Sequence, residues 1–180
     1  PLLREGLIDP STIVANSLSG VSGAGRKADL GLLFVECNES AHAYGIPRHR
    51  HLSEIEQELS SAAGDKVTIS FMPHLIPVNN GICTTISASL KGDLAGVEHA
   101  LRSTYENSYF VRLLGTEAFP DTKNVTRTNF IDIGWQHDER TGRLLLLSAE
   151  DNLGKGAAGQ AVQSFNLMTG IPDVTGLEIV

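Results

Sequence analysis

Short stretches in which apolar and polar residues alternate recur along the chain, and this period of two is typical of strands with one buried face. Six stretches have the pattern: residues 12–17, 67–72, 83–90, 110–114, 130–135 and 143–148. Helical spacing occurs in residues 93–106, where Leu94, Val97, Leu101 and Tyr105 would share one face. Because strands and helices do not alternate regularly, we expect an α+β domain with a mixed, mostly antiparallel sheet and helices on one face.

Start and stop signals mark the remaining elements. Ser53 and Glu56 have the spacing of a capping box, which predicts a helix that begins at Ser53. Residues 155–168 are predicted to form a Gly/Ala-rich helix that stops at Gly170. Residues 1–8 have the pattern of the last turns of an amphipathic helix, so we expect a domain or fragment of a longer protein. The predicted loops are residues 19–26, 36–50 and 73–81, and residues 27–35 are predicted to form a short helix or a mixed segment.

Four consecutive leucines, residues 144–147, predict a strand that is buried on both faces. We expect helices to cover one of these faces and a second subunit to cover the other. The expected assembly is therefore a homodimer or a tetramer.

The composition fits one globular domain of 180 residues. Hydrophobic residues make up 41% and charged residues 19%, which is enough apolar material for a core. The formal charge of −7 argues against a nucleic-acid partner, and no apolar run approaches the ~20 residues that would cross a bilayer. Two cysteines, Cys37 and Cys83, are too few for a disulfide framework, so we expect a cytoplasmic protein.

A glycine-rich loop follows the first predicted strand. Gly23, Gly25 and Ala28 match the dinucleotide fingerprint, but the next apolar run, residues 32–35, leaves no room for a crossover helix. A surface turn and an anion-binding cradle both stay open, and we favour the cradle because small residues let backbone N–H groups converge on an anion. The cradle would use Ser19, Ser22, Gly23, Gly25 and Arg26.

A cluster of ionisable side chains occupies residues 48–54, just before a predicted helix. His49 and His51 can exchange protons near neutral pH, and Glu54 could fix the tautomer of one ring. Arg50 could hold an anion with two hydrogen bonds. A solvated charged loop is the alternative, and a zinc site would lack a fourth strong ligand, so we expect no metal.

Small residues dominate the first turns of the last predicted helix, from Gly154 to Ala161. They would permit close approach of a flat ligand, or of another part of the backbone. Asp151 and Asn152 precede these turns, where side chains of this type often cap a helix.

Four motifs together resemble one family, N-acetyl-gamma-glutamyl-phosphate reductase. They are SGVSGAGR at residues 19–26, HRHxxEI at 49–55, FxPHL at 71–75 and DNLxKGAAGQAVQ at 151–163. Their order and intervals are similar to those of the family, and the resemblance covers nearly the whole chain. Asn80 departs from it, because many members have arginine there, and Ser53 replaces a frequent proline.

The resemblance implies one half of a two-domain enzyme. Members have an upstream NADP-binding domain that ends near a nucleophilic cysteine in a Gly-Cys-Tyr-Pro segment, which does not occur in these 180 residues. Residues 1–180 would be the catalytic and dimerisation domain, similar in fold to the C-terminal domain of glyceraldehyde-3-phosphate dehydrogenase. Residues 151–170 would contact the NADP-binding domain.

The implied reaction is reduction of N-acetyl-glutamyl 5-phosphate to the 5-semialdehyde with NADPH, in arginine biosynthesis. The resemblance gives His51 the role of base and Glu54 that of its orienting partner. Substrate would be held by Ser19, Ser22, Gly23, Gly25, Arg26, His49 and Arg50. The nicotinamide would face Asn152, Gly154, Lys155 and Gly156. The alternatives are a non-catalytic dimerisation module and the related aminoadipate-phosphate reductase of lysine synthesis.

Overall fold

The computed structural model describes residues 1–178. Within these residues, seven strands form one sheet: β1 (Val14–Gly20), β2 (His42–Ala43), β3 (Ser70–Ile76), β4 (Ile82–Ser89), β5 (Val111–Gly115), β6 (Ile131–Asp138) and β7 (Arg143–Glu150). The α-helices of this part of the chain are α1 (Phe34–Cys37), α2 (Leu52–Ala63), α3 (Leu94–Tyr105) and α4 (Gly159–Thr169). Shorter helical turns are Pro10–Thr12, Val21–Ala24, Leu30–Leu32 and Thr122–Asn124, and a π-helix spans Gly154–Ala158.

The strand order across the sheet is β2-β3-β1-β4-β7-β6-β5. Strands β1 and β3 pair in parallel, as do β5 and β6, and the other four pairings are antiparallel. The prediction of a mixed, mostly antiparallel sheet in an α+β domain is therefore confirmed.

Helices α2 and α3 cover one face of the sheet, as predicted. The core contains Val97 and Leu101 from α3, which pack with Trp135, Leu144 and Leu146 from the central strands. Trp135 and Leu146 are register partners, and side chains opposite each other on neighbouring strands share a face. The helical spacing of residues 93–106 therefore identified the buried side of α3 correctly.

The opposite face of β7 is less buried. Leu144 is buried, whereas Leu145, Leu146 and Leu147 are only partly buried. Within residues 1–178 of the single chain, the run 144–147 is therefore fully buried on neither of the two faces along its whole length, and burial of the second face by another subunit stays a prediction. Leu145 and Leu147 lie on the face opposite the helices, because successive side chains of a strand point to opposite faces.

Strand β3 continues through the segment that was expected to be a loop. Pro73 lies inside the strand, although proline cannot donate a ladder hydrogen bond. Strand β2 pairs only with His74 and Leu75, and the carbonyl of Pro73 accepts from the backbone N–H of Tyr44 instead. Sparse pairing on this side of β3 explains why proline is tolerated there.

The predicted capping box at α2 is wrong. The N-cap residue is His51, which makes no side-chain cap bond, and Ser53 lies inside the helix. The Glu56 carboxylate accepts a hydrogen bond from the backbone N–H of Ile69 (3.1 Å), so it ties α2 to the start of β3.

Both ends of the chain differ in detail from the predicted helices. Residues 1–8 form turns rather than the end of a helix, and Leu2 and Ile8 insert into the core. The helix predicted at 155–168 begins as a π-helix and ends at Gly170, which has φ +72°. No helix within residues 1–178 combines the length and apolarity that a membrane crossing requires.

Candidate functional site

Three loops meet at one edge of the sheet. Ser19 in β1 lies opposite Ile82 in β4, and Ile82 lies opposite Glu150 in β7. The end of β1, the start of β4 and the end of β7 are therefore adjacent. This register brings together residues that are far apart in the sequence, among them Ser22 and Asn152.

Asn152 cross-links these three loops. Its side-chain Oδ1 accepts from the backbone N–H of Gly81 (2.7 Å), and its Nδ2 donates to Ser22 Oγ (2.8 Å). The Ser22 hydroxyl in turn donates to Asn80 Oδ1 (3.2 Å). We call Ser22, Asn80, Gly81, Asp151 and Asn152 the Ser22–Asn152 cluster.

Asp151 anchors the cluster and is only 1% exposed. Its carboxylate accepts from the backbone N–H groups of Leu153 (2.7 Å), Gly154 (2.8 Å) and Arg127 (2.6 Å), and from Asn80 Nδ2 (3.4 Å). Burial raises the pKa of Asp151, but these hydrogen bonds outweigh burial and hold the pKa below its ordinary value. A carboxylate at the start of the π-helix agrees with the capping role expected for Asp151.

The glycine-rich loop forms a tight 3-10 turn, Val21–Ala24. The backbone N–H of Ser22 donates to Asn79 O (3.1 Å), and that of Gly25 donates to Ser22 O (3.0 Å). These two amides of the expected anion cradle are thus engaged within the protein. A Cβ on Gly20 would lie 2.5 Å from Asn79 O, so glycine is needed where the two loops touch.

The other proposed substrate donors of this loop differ in exposure. Gly23, Gly25 and Arg26 are exposed and open to a ligand. Ser19 is buried, and its hydroxyl donates to Gly20 O (3.3 Å).

The two histidines form a second group beside β3. The ring of His49 lies 5.1 Å from that of His51, and 5.4 Å from those of both Tyr44 and Phe71, always edge to face. The backbone N–H of His51 donates to His49 Nδ1 (3.3 Å). We call Tyr44, His49, His51 and Phe71 the His49–His51 group.

The charges around this group point largely to solvent. Burial lowers the pKa of His49, and the neighbouring His51 and Arg50 lower it further. Arg50, His51 and Glu54 are exposed. Within residues 1–178, no hydrogen bond joins the Glu54 carboxylate to the His51 imidazole, so the orienting role of Glu54 stays a prediction.

The two groups lie at different heights along β3. Gly20, next to the Val21–Ala24 turn, is paired with Ile76, whereas His49 packs on Phe71, five residues earlier. At about 3.3 Å per residue this is a separation of about 16 Å along the strand. The sequence predicted one gathered set of donors, but the described residues form two separate groups.

Two hydroxyl residues that the sequence reasoning missed lie between the groups. Ser17 Oγ and Thr84 Oγ1 are 2.9 Å apart on neighbouring strands. Ser17 shares a sheet face with Ser19, two residues on, and with Phe71 through the register of β1 and β3. These two hydroxyls are therefore polar groups on the part of the sheet between the two groups.

The small residues after Asn152 serve close packing. A Cβ on Gly154 would overlap the carbonyl oxygen of Thr128, and one on Gly159 would overlap Asn129 Oδ1. Gly156 is exposed and stays available to a ligand. At Gly154 and Gly159 the structure therefore favours the second alternative, in which small residues allow close contact within the protein.

Lys155 points toward α4. Its Nζ donates to Gln163 Oε1 (2.8 Å) and lies 5.8 Å from the centre of the Phe110 ring. Burial lowers the pKa of Lys155 and raises that of Glu150, while the attraction between the two charges opposes both shifts. The ammonium group is therefore engaged within the protein in this arrangement.

A cavity of about 370 Å³ opens beside the Ser22–Asn152 cluster. Asn80, Arg127 and Asp151 contribute to its lining. Arg127 has φ +64°, which is uncommon for a residue other than glycine, and nothing in the sequence marks it. Within residues 1–178, no three His, Cys, Asp or Glu side chains converge as metal ligands would.

The curated relatives most similar to the chain include two bacterial reductases. The N-acetyl-gamma-glutamyl-phosphate reductase of Akkermansia muciniphila is 61% identical over 182 residues, covering 100% of this chain and 52% of the relative. That of Acetivibrio thermocellus is 49% identical over 179 residues, covering 98% and 52%. The chain thus spans about half the length of the curated relatives it matches.

Solved structures share the fold at low sequence identity. Aspartate semialdehyde dehydrogenase II of Vibrio cholerae, complexed with ASA, aligns with a TM-score of 0.70 and 16% identity, covering 93% of this chain and 57% of that one. A probable aspartate-semialdehyde dehydrogenase from Pseudomonas aeruginosa gives 0.71 and 17%, covering 94% and 57%. The expected likeness to the C-terminal domain of this class of dehydrogenase is confirmed.

A family model described as the dimerisation domain of semialdehyde dehydrogenase matches residues 1–152. The match includes the Ser22–Asn152 cluster and the His49–His51 group, and it ends just before the π-helix. The chain therefore belongs to the semialdehyde dehydrogenase dimerisation-domain family.

Proposed function

We propose that the chain is the catalytic and dimerisation half of an NADPH-dependent reductase. The enzyme would convert N-acetyl-glutamyl 5-phosphate to N-acetyl-glutamate 5-semialdehyde in arginine biosynthesis. The observation that carries this proposal is the 61% identity, along the whole chain, with a reductase of that name. A cytoplasmic setting suits a biosynthetic enzyme whose cysteines, Cys37 and Cys83, are both free.

The chemistry assigns different tasks to the two halves of the longer enzyme. A cysteine of the upstream half would attack the acyl phosphate, so that a thioester forms and phosphate leaves. His51, whose imidazole is exposed, would take the thiol proton as a general base. Bound NADPH would supply the hydride that reduces the thioester to the aldehyde. Glu54 would orient His51 once the substrate closes the site.

The substrate has anionic groups at both ends, and this suits two separated groups of donors. Arg50 and His49 would contact one end, and the loop from Ser22 to Arg26 would contact the other. Ser17 and Thr84 lie between the two groups and would be nearest the middle of the substrate. The distance of about 16 Å that separates the two groups along β3 is longer than the substrate between its carboxylate and its phosphate, so the long exposed side chains of Arg26 and Arg50 would reach toward the substrate from either side.

The upstream half would dock on the sheet edge where β7 ends. Helix α4 leaves this edge with Phe165, Leu167 and Met168 exposed at 60%, 62% and 87%. Exposed apolar side chains of this size are typical of a surface that another domain covers. We therefore propose that residues 151–170 contact the NADP-binding domain, with Asn152 and Gly156 nearest the nicotinamide.

A second copy of the chain would cover the sheet face opposite α2 and α3. Leu18 in β1 is 39% exposed on that face, and Leu145 and Leu147 are partly buried there. Exposed apolar residues on central strands would find their burial in a homodimer. Analytical ultracentrifugation should find a dimer or a tetramer, and a strict monomer at high concentration would contradict this part of the proposal.

The test of function uses the longer protein that includes the residues encoded upstream of Pro1. We expect phosphate-dependent reduction of NADP⁺ by N-acetyl-glutamate 5-semialdehyde, the reaction run in reverse. The homologous aminoadipate semialdehyde serves as the control substrate, and faster turnover of that compound would assign the enzyme to lysine synthesis. A well-folded longer protein without either activity would favour a non-catalytic dimerisation module.

A further inference from the structure

His49 is held as a hydrogen-bond acceptor. Its Nδ1 receives the backbone N–H of His51 at 3.3 Å, so this nitrogen carries a lone pair and not a proton. The imidazole is then neutral, with its proton on Nε2. A neutral ring does not attract an anion by charge, although the resemblance gives His49 a substrate-binding role.

The surroundings of His49 favour this neutral form. Tyr44, His51 and Phe71 pack edge to face around the ring at 5.1–5.4 Å. A Cβ on Gly45 would lie 2.9 Å from His49 Cδ2, so the chain can fold over the ring only because this residue is glycine with φ +64°. The neighbouring charges that face it, His51 and Arg50, disfavour a second cation, and burial acts in the same direction.

The bond to His51 acts on the residue that begins α2. His51 is the N-cap of the helix and makes no side-chain cap bond of its own. Its carbonyl accepts from the backbone N–H of Ile55 (2.9 Å), as in any helix start, and its other contacts are the hydrogen bond from its N–H to His49 and the edge-to-face packing of the two rings. Fixing the backbone of a residue sets the direction in which its side chain leaves the helix.

We propose that His49 is a positioning residue, which as a neutral imidazole fixes the backbone and ring of His51. The proposal rests on the proposed function, because His51 is the base of that reaction. On this proposal His49 contacts the base, His51, and does not bind the substrate itself.

Three substitutions in the longer protein separate the two roles. In His49→Asn the side-chain oxygen stands near the position of Nδ1 and keeps an acceptor there, whereas His49→Gln places its oxygen near Nε2, and His49→Ala keeps neither. We expect His49→Ala and His49→Gln to lower kcat about tenfold with little change in KM, because a small misplacement of a catalytic group is costly. His49→Asn should restore most of the lost kcat.

A rise in KM that is similar in all three variants, with kcat unchanged, would overturn the proposal and return His49 to substrate binding. Equal kcat in the Asn and Gln variants would also overturn it. The matched control is His99→Asn, an exposed histidine on α3, which should leave both constants unchanged.

A second measurement needs no turnover. In the ¹⁵N-histidine-labelled protein, the signals of His49 are those that disappear in His49→Asn. We expect an unprotonated Nδ1 and a protonated Nε2 at pH 7, with a titration midpoint below the ordinary value of 6.5. A protonated Nδ1 at pH 7 would overturn the proposal, whether or not the protein proves to be a reductase.

Discussion

The two groups of the candidate site are built in different ways. The Ser22–Asn152 cluster joins residues that are 58 to 130 positions apart, and Asp151 and Asn152 are buried in it. The His49–His51 group comes from one short stretch and one neighbouring strand, and it is held mainly by ring packing. The first group therefore depends on the whole fold, whereas the second depends on local geometry.

This difference determines what substitutions in each group should do. Side chains of the exposed group can be removed with little loss of folded structure, so their effects should be seen in turnover. Side chains of the buried cluster satisfy one another's hydrogen bonds, so their removal leaves buried polar groups without partners and lowers stability.

The largest expected effect is that of His51→Ala on turnover. Loss of a general acid–base group lowers kcat by roughly 10²–10⁴-fold. Because His51 is exposed, the melting temperature should barely change. Steady-state kinetics and thermal unfolding of the longer protein measure both quantities, and near-normal turnover would remove His51 from the reaction.

Asp151→Ala should have the largest effect on stability. The substitution leaves three backbone N–H groups and the Asn80 amide without their acceptor, which should lower the free energy of unfolding by about 2–4 kcal/mol. Urea unfolding measures it, with Glu98→Ala at an exposed ion pair as the control.

The stability lost in Asp151→Ala should depend on pH. The pKa of Asp151 is lower in the folded protein than its ordinary 3.8. Its contribution to stability is therefore present above pH 3.8 and is lost as the pH falls through the folded-state pKa. A difference between wild type and Asp151→Ala that persists undiminished at the lowest pH would contradict the assignment.

A double-mutant cycle measures the bond that unites the cluster. Ser22→Ala and Asn152→Ala remove the two ends of the 2.8 Å hydrogen bond between the first and last motifs. We expect a coupling of about 1 kcal/mol in the free energy of unfolding. Additive effects would mean that the two loops are held together by other contacts.

The smallest effect is expected from Glu150→Gln. Burial raises the pKa of Glu150 above its ordinary 4.5, so the folded protein binds this proton more tightly than the unfolded chain does. The contribution of the carboxyl group to stability is present below pH 4.5 and is lost as the pH rises through the folded-state pKa. Glu150→Gln should therefore raise the melting temperature at pH 7, and this increase should vanish at pH 4. A lower melting temperature at pH 7 would contradict this.

The sequence was informative where structure is local. The spacing of Leu94, Val97 and Leu101 identified the buried side of α3, and the mixed sheet followed from the order of alternating stretches. Residues that are close in the sequence, such as His49 and His51, could be assigned to one site, because the short chain between them keeps them together.

Long-range partners could not be predicted in the same way. The Glu56 carboxylate bonds to Ile69 instead of completing a capping box, because the fold places the start of β3 beside α2. The contact between Asp151 and Arg127 depends on the register of β4, β6 and β7, and on a positive φ that no sequence pattern marks. The separation of the two groups likewise follows from the pairing of β1 with β3.

A crystal structure of the longer protein with phosphate and the semialdehyde bound would test the central claim most directly. The account predicts that ligand atoms contact His51 at one end of the site and the loop from Ser22 to Arg26 at the other. Ligand that is confined to one group, with the other still open to solvent, would contradict the claim that both groups serve one reaction.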